Sequence, residues 1–341
     1  MPPRLVDKPE VLALAQDLGL KPSENPVQDI LRHVRKQVRS FLKEVQCERL
    51  SDLLRLVATK VDTLFLEVHS DADLRKIREQ YVEDREFIFA EIESELAHPH
   101  TYGITYTLKS PKAGQRKFVS VIDCRGDKGF KSYFTKWHEL AHLLTLTPQQ
   151  RLKFYRTHVP ADEKDPEESV MDAIAGNIGF FNEIVRKHAK QPISFTAFSD
   201  LKARLCPEAS GQASLLGFFQ AWPAPCLLVE AKLAWKKRDA ERIARGTLAI
   251  KNAPEAALRA VRVTANEAAR AQNFFIPENM RVPKHSVIAR MLDGEDAEMD
   301  AVEDLSWWAS SDGERLGAVA IRVVARRTQG GAQALIAADI R

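Results

Sequence analysis

Two histidines and a glutamate between residues 138 and 142 have the types and the spacing of a catalytic metal site. His138 and His142 are four residues apart, so on a helix they share one face, one turn apart. Neutral imidazole is a preferred zinc ligand, and Glu139 lies beside that face, within reach of a water molecule on the metal. Leu140 and Leu143 make the segment apolar, which predicts a buried helix whose imidazoles need polar partners. We therefore expect one Zn²⁺ per chain.

A third protein ligand is available further along the chain. Glu168 follows His142 at a distance that allows a helix end, a loop and a returning helix. Asp172 is four residues further on, on the same face, where it can accept a hydrogen bond from the outer nitrogen of a histidine ligand. The alternative is helix capping, because Asp165 as N-cap, Pro166 in the first turn and Glu168 at the third position form a typical helix start.

The same residues predict the steps of peptide hydrolysis. Glu139 is expected to take a proton from the attacking water and to pass it to the leaving amine. The tetrahedral oxyanion needs a further donor, for which His158 and Tyr155, between the two ligand helices, are the candidates.

Strand 117–123 closely precedes the metal helix. It could be the sheet edge on which an extended substrate segment lies, with Val119, Val121 and Asp123 bordering the cleft. A plain core strand is the alternative.

The elements around these motifs are those of an α+β fold. Helical periodicity and caps predict helices over 9–59, 71–97, 131–146, 166–189 and in three segments of 195–246. Alternating and β-branched runs predict strands over 62–68, 101–108, 117–123, 260–263, 317–324 and 332–336. Residues 147–164 are predicted to be a loop.

The sequence Phe-Thr-Lys-Trp-His-Glu-Leu-Ala-His at 134–142 resembles the Phe-Thr-x-x-His-Glu-x-x-His signature of the ImmA/IrrE metallopeptidases. Glu168, Asp172 and Ala175 are similar to that family's downstream Glu-x-x-x-(Asn or Asp)-x-x-Ala helix. The Glu-x-x-x-Asp spacing also looks like that of thermolysin-type gluzincins. The resemblance covers roughly residues 25–245.

This resemblance implies a bacterial or phage-borne zinc endopeptidase that cleaves a helix-turn-helix repressor. Such cleavage relieves repression in stress responses, including radiation and DNA damage, or mobilises genetic elements. In the IrrE branch a helix-turn-helix-like segment follows the metal domain, and its counterpart here would be three helices at 194–205, 211–222 and 225–237. The dense basic stretch of that segment, 236–238, is short, so charge gives little support for DNA binding.

Pattern and resemblance together predict three parts. Residues 1–190 would form a zincin-like metallopeptidase domain of helices and a small mixed sheet. Residues 191–250 would form the helical, helix-turn-helix-like segment, and 251–341 a β-rich C-terminal domain that regulates or targets the peptidase. The last part does not match the GAF-like domain of the IrrE branch.

Two other functions remain open at this point. The protein could hold zinc and act as an antirepressor that docks on a repressor without cutting it. It could also be a DNA-binding regulator with a structural metal, although a closed structural site needs four protein ligands and no fourth histidine or cysteine has a motif-like spacing.

Composition indicates an ordinary soluble protein. The 341 residues carry a net charge of +3 and four widely spaced cysteines, which are typical of reduced thiols in a cytosolic protein. No apolar stretch has the features of a signal peptide or the length of a membrane span. We therefore expect a cytoplasmic protein that acts on another protein and not on a membrane.

Overall fold

The computed structural model describes residues 5–146, 153–157, 165–190, 192–247, 255–294, 296–310 and 313–338, with 153–157 described by their backbone. Helices and strands are mixed along the chain, as an α+β fold requires. The chain divides into two compact units, Met1–Ile184 with Lys202–Gly217, and Val185–Leu201 with Phe218–Arg341. Among the described helices, none combines the length and hydrophobicity needed to cross a membrane.

Several of the helices up to residue 221 begin at residues whose side chains cap them. Asn25 caps the second helix, Ser70 and Asp73 form a capping box on the fourth, and Asp165 caps the seventh. The helices are α1 (Pro9–Asp17), α2 (Pro26–Leu42), α3 (Leu50–Lys60), α4 (Asp71–Glu83), α5 (Ile92–Ala97), α6 (Ser132–Leu144), α7 (Pro166–Gly179), α8 (Asn182–His188), α9 (Phe195–Leu205) and α10 (Gly211–Ala221).

Three of the long predicted helices are interrupted. The helix predicted over 71–97 stops at Glu83, because Arg85 adopts a positive φ of 64° that no right-handed helix contains. A 3-10 turn at Phe87–Glu91 then leads into α5. The helix predicted over 9–59 is three helices, and the one predicted over 166–189 is two.

The first unit contains a four-stranded mixed sheet in the order β1-β3-β2-β4. Its strands are β1 (Thr63–Val68), β2 (Thr101–Thr107), β3 (Phe118–Asp123) and β4 (Lys153–Thr157). β1 and β3 are parallel, and β2 is antiparallel to both β3 and β4. Because β4 lies within 147–164, the prediction of a loop there is wrong for these five residues. These residues form a strand because they pair with β2, which is distant in sequence.

The hypothesis that strand 117–123 is the substrate edge is wrong. β3 is paired on both sides, with β1 and β2, and the edges of the described sheet are β1 and β4. Val119 and Val121 lie in an apolar cluster with Leu74, Phe89 and Ile104. The alternative, a core strand, is therefore confirmed.

The two faces of this sheet differ in character. Side chains alternate along a strand, so Ile104 and Tyr106 of β2 face the apolar cluster formed with α4 and α5. Gly103 and Thr105 face the other way, and Thr105 is buried against Ser120 of β3. The second face is thus small and polar, and α6 packs on it.

The second unit contains a five-stranded antiparallel sheet in the order β6-β5-β9-β8-β7. Its strands are β5 (Cys226–Ala234), β6 (Ala257–Ala265), β7 (Glu298–Asp304), β8 (Ala320–Thr328) and β9 (Gly331–Ala338). The helices after β5 are α11 (Lys237–Ala244), α12 (Glu267–Ala271) and α13 (Val287–Asp293). Alternate residues of the inner strands form one apolar core with residues of α12 and α13.

The helix predicted over 225–237 is a strand for most of its length. Leu227, Leu228 and Val229 are all buried, because β5 lies between β6 and β9 and is covered on both faces. The prediction of a helix-turn-helix-like segment is therefore wrong for its third helix. The C-terminal sheet begins at Cys226, so a boundary near residue 250 would separate β5 from its partner strands.

Asp123 has a structural role at the end of β3 and does not border a cleft. It is 1% exposed and accepts hydrogen bonds from the guanidinium of Arg125 and from Lys128 Nζ, each at 2.8 Å. Lys128 also donates to the backbone carbonyls of Leu96 and Thr101. These bonds fix the short segment that leads into α6.

We predict that Asp123→Asn lowers the free energy of unfolding at neutral pH by about 2 kcal/mol, measured by urea denaturation. The cost stays below that of a fully buried pair because Arg125 and Lys128 are 24% and 18% exposed. Burial raises the pKa of Asp123, but the bonds from Arg125 and Lys128 outweigh it and lower the pKa. The stabilisation of the fold by ionised Asp123 is therefore present above the pKa of Asp in the unfolded chain, about 3.9. It disappears as the pH falls through the lower pKa of the folded protein.

The exposed Asp127, in the same segment, supplies the control. Asp127→Asn should leave the denaturation midpoint unchanged. Equal stability of Asp123→Asn and the wild type would contradict the assigned role.

Candidate metal centre

The helix α6 is buried along almost its whole length. Tyr133 and every residue from Thr135 to Leu144 are buried, among them the three residues of the predicted metal site on this helix. His138 and Glu139 are 0% exposed and His142 is 3% exposed. The predicted buried helix is confirmed, and its polar groups must find partners inside the protein.

The helix α7 supplies those partners because it packs antiparallel against α6. The Tyr133 hydroxyl, near the start of α6, donates to the Gly179 carbonyl at 2.6 Å. At the other end, the Thr145 hydroxyl lies 3.5 Å from Met171 Sδ. A Cβ at Gly179 would lie 2.9 Å from Trp137 Cδ1, so glycine permits this close approach. The first turns of α7 thereby lie beside the two histidines.

Donor atoms of three residues converge between the helices. His138 Nε2 and His142 Nε2 are 3.2 Å apart. Glu168 places Oε2 at 3.0 Å from His138 Nε2 and Oε1 at 3.2 Å from His142 Nε2. Tetrahedral zinc with bonds of about 2.0–2.1 Å separates its ligand atoms by roughly 3.3 Å. The triangle of donors therefore fits such an ion.

Asp172, the residue predicted to hydrogen-bond a histidine ligand, determines which ring nitrogen of His138 carries the proton. Asp172 Oδ1 lies 2.8 Å from His138 Nδ1, so this nitrogen carries the hydrogen. The other ring nitrogen of neutral His138 is then an acceptor that faces the carboxylate of Glu168. Two acceptors at 3.0 Å repel unless a cation or a second proton lies between them. Orientation of a ligand histidine by a carboxylate is typical of zinc sites.

Glu168 does not act as a capping residue. Asp165 Oδ1 accepts from the Glu167 amide at 2.8 Å, and Pro166 occupies the first turn, so the predicted helix start is present. Both oxygens of Glu168 nevertheless face the histidines. Burial favours its neutral form, but the opposing interactions with His138 and His142 outweigh that effect and hold the pKa of Glu168 well below its usual range.

Glu139 is held by one oxygen only. Thr105 Oγ1 donates to Glu139 Oε2 at 2.6 Å, whereas Oε1 has no hydrogen-bond partner among the described residues. A Cβ at Gly103 would lie 3.3 Å from that Oε1 and 2.7 Å from Thr135 Cγ2. Glycine thus keeps the space beside Oε1 open. Burial raises the pKa of Glu139 above its usual range, against the lowering effect of His138 and the other nearby donors.

A chain of buried hydroxyls continues from Glu139 across the sheet. Thr105 Oγ1 lies 2.6 Å from Ser120 Oγ, which lies 3.2 Å from Thr63 Oγ1. All three residues are at most 4% exposed. Our sequence analysis missed these residues and Gly103. They could have been found from the sequence, because small or polar residues occupy alternate positions of strands that are otherwise apolar.

The side chains of the two predicted oxyanion donors lie outside what the structure describes. Tyr155 lies in β4, with its backbone opposite Ile104 of β2. His158 lies outside the described residues. The assignment of either residue as an oxyanion donor therefore stays a prediction.

The arrangement as a whole can hold a divalent cation on three protein ligands and place a carboxylate base beside it. His138, His142 and Glu168 are brought together as expected, with Asp172 behind His138 and Glu139 alongside. No protein-family model matches the chain, and no curated protein matches it.

We predict that Glu168→Gln weakens zinc binding by more than about 100-fold, because it removes an anionic ligand. Asp172→Asn should lose about 10- to 100-fold, the range typical of residues that orient a ligand. Glu167→Gln is the matched control, since it lies about 100° around the helix and should bind zinc normally. Competition with a chromogenic chelator measures all three. Wild-type zinc affinity in Glu168→Gln would exclude Glu168 as a ligand.

Proposed function

We propose that this protein is a zinc-dependent endopeptidase of the ImmA/IrrE type. The observation that carries the proposal is the convergence of His138, His142 and Glu168 beside the unpartnered oxygen of Glu139. Three protein ligands leave a coordination position for water and substrate, which distinguishes a catalytic zinc site from a structural one. The motif resemblance at 134–142 and 168–175 supports the same class.

In this proposal His138, His142 and Glu168 hold the ion and Glu139 moves the proton. Bound zinc would supply a Lewis acid that polarises the scissile carbonyl and lowers the pKa of water. Glu139 Oε1 accepts a proton from the attacking water and returns it to the nitrogen of the leaving amine. Thr105 restricts this role to Oε1 because its hydroxyl occupies Oε2.

The environment of Glu139 suits a general base. Its complete burial raises its pKa, and a carboxylate with a higher pKa is a stronger proton acceptor near neutral pH. Exclusion of bulk solvent also strengthens each electrostatic interaction within the site. The hydrogen bond from Thr105 keeps the carboxylate in one orientation.

β4, and not β3, is the strand along which we propose that an extended substrate segment binds. β4 is an edge of the described sheet and lies against α6. An edge strand offers backbone groups to an extended segment of a partner protein. We propose that the scissile segment lies along β4, antiparallel or parallel, with its carbonyl at the metal. The resemblance favours a helix-turn-helix repressor in a bacterial stress or mobile-element response as the partner.

The direct test uses a candidate helix-turn-helix repressor, and any such repressor encoded beside the gene for this chain is the first choice. Wild-type protein loaded with zinc should cut it at one bond, identified by mass spectrometry. Glu139→Gln should bind the same amount of zinc and leave the repressor intact, because glutamine cannot accept the proton. Glu167→Gln should cut normally.

Other outcomes separate the competing functions. Cleavage by Glu139→Gln at the wild-type rate would refute the proposed mechanism. Release of the repressor from its operator by both wild type and Glu139→Gln, without cleavage, would identify an antirepressor instead.

We predict that Thr105 acts as a positioning residue for Glu139. Thr105→Val removes the hydroxyl with little change in shape and should lower kcat for the same repressor by about 10- to 100-fold. KM and bound zinc should not change, because neither ligands nor substrate contacts are altered. Thr105→Ser keeps the hydroxyl and should restore most of kcat. Equal kcat values for the valine and serine variants would contradict this role.

A further inference from the structure

A second group of metal-binding side chains lies at the carboxyl ends of the parallel strands β1 and β3. Glu67 is near the end of β1, His69 follows that strand, and Cys124 follows β3. One donor atom from each residue lies within 4.8 Å of the other two. His69 Nε2 is 3.2 Å from Glu67 Oε2, and Cys124 Sγ is 4.0 Å from the same oxygen. This cluster shares no residue with the site on α6.

We propose that Glu67, His69 and Cys124 bind a second divalent transition-metal ion, with Zn²⁺ the best fit to the ligand set. A thiolate, an imidazole and a carboxylate are the three ligand types that zinc uses in proteins. Magnesium and calcium prefer oxygen ligands alone. Two zinc ions per chain would then be bound, where the sequence predicted one. This inference does not depend on the peptidase proposal.

The backbone holds the three positions in place without a metal. The Cys124 amide donates to the Val68 carbonyl at 2.8 Å, which ties the end of β3 to the end of β1. The His69 amide donates to Asp73 Oδ2 at 3.1 Å, within the capping region of α4. Sites built on fixed elements need little reorganisation when the ligand binds.

Lys136 of α6 orients the carboxylate of Glu67. Its Nζ pairs with Oε1 of Glu67, which leaves Oε2 directed at His69 and Cys124. Carboxylates that bind metals are usually held by a second hydrogen bond in this way. Tetrahedral zinc separates sulfur and oxygen ligands by roughly 3.5 Å, so a small rotation of the exposed Glu67 side chain would bring its Oε2 to that distance from Cys124 Sγ.

Two simpler explanations account for less of the arrangement. An exposed His69–Glu67 ion pair contributes little to stability and gives no reason for the nearby thiol. A reactive cysteine would need a lowered pKa, but burial and the charge of Glu67 raise the pKa of Cys124 to about 11. A divalent cation among these groups reverses that local balance of charge.

The test is a titration of the metal-free, full-length protein with Co²⁺ alone. A cobalt–thiolate bond gives a charge-transfer absorption in the near ultraviolet. The site on α6 has no thiolate, so this absorption reports the second site only. We expect two equivalents of Co²⁺ to bind in the wild type, with a limiting absorption that corresponds to one thiolate-bound Co²⁺ per chain and disappears when Zn²⁺ displaces Co²⁺.

The variants assign the absorption to its ligands. Cys124→Ser should lose the absorption and one equivalent of Co²⁺, and His69→Ala, at an exposed position, should weaken Co²⁺ binding by at least about 10-fold. Cys47→Ser replaces a buried cysteine outside the cluster and should keep the absorption. His138→Ala should lose the other equivalent while the absorption remains, so failures of the two metal sites can be told apart.

Either of two results would overturn the proposal. One is the absence of thiolate absorption in wild-type protein at saturating Co²⁺. The other is an absorption that persists at unchanged affinity in either Cys124→Ser or His69→Ala.

Discussion

Two imidazole rings and a carboxylate are buried on one helix, and neighbouring elements supply at least one polar partner to each of them. The rings of His138 and His142 cannot reach bulk water, so they require partners from another element. The antiparallel packing of α7 against α6 supplies Glu168 to both rings and Asp172 to the outer nitrogen of His138. That packing requires the close approach of α7 to Trp137, which the missing side chain of Gly179 allows.

The two glutamates of the site are pushed in opposite directions by their surroundings. Burial raises the pKa of Glu168, but interactions with the two histidines outweigh burial and lower it, which favours the anionic form that a metal ligand needs. Burial dominates at Glu139 and raises its pKa, which suits a base. Divergent pKa values in neighbouring carboxyl groups separate the roles of proton acceptor and fixed charge. The sheet also distinguishes the two glutamates, because Thr105 holds one oxygen of Glu139 and Gly103 leaves space at the other.

The local part of this structure could be predicted from the sequence, and the non-local part could not. The spacing of His138, Glu139 and His142, with the Asp165 cap before Glu168, placed both ligand helices because helix periodicity and capping are local properties. β4 and β5 were missed because a short or continuously apolar strand is specified by its distant partners. The hydroxyls of Thr105 and Ser120 were missed for the same reason, since their role exists only when β2 and β3 pair beneath α6.

The central claim is that the three donor atoms between α6 and α7 are ligands of one zinc ion. Anomalous X-ray scattering from crystals of the zinc-loaded protein, recorded above and below the zinc absorption edge, tests this directly. We expect a zinc peak about 2.0–2.2 Å from His138 Nε2, His142 Nε2 and an oxygen of Glu168. It would be contradicted if zinc-loaded crystals showed no peak there and Glu168 instead accepted a hydrogen bond from a doubly protonated His138.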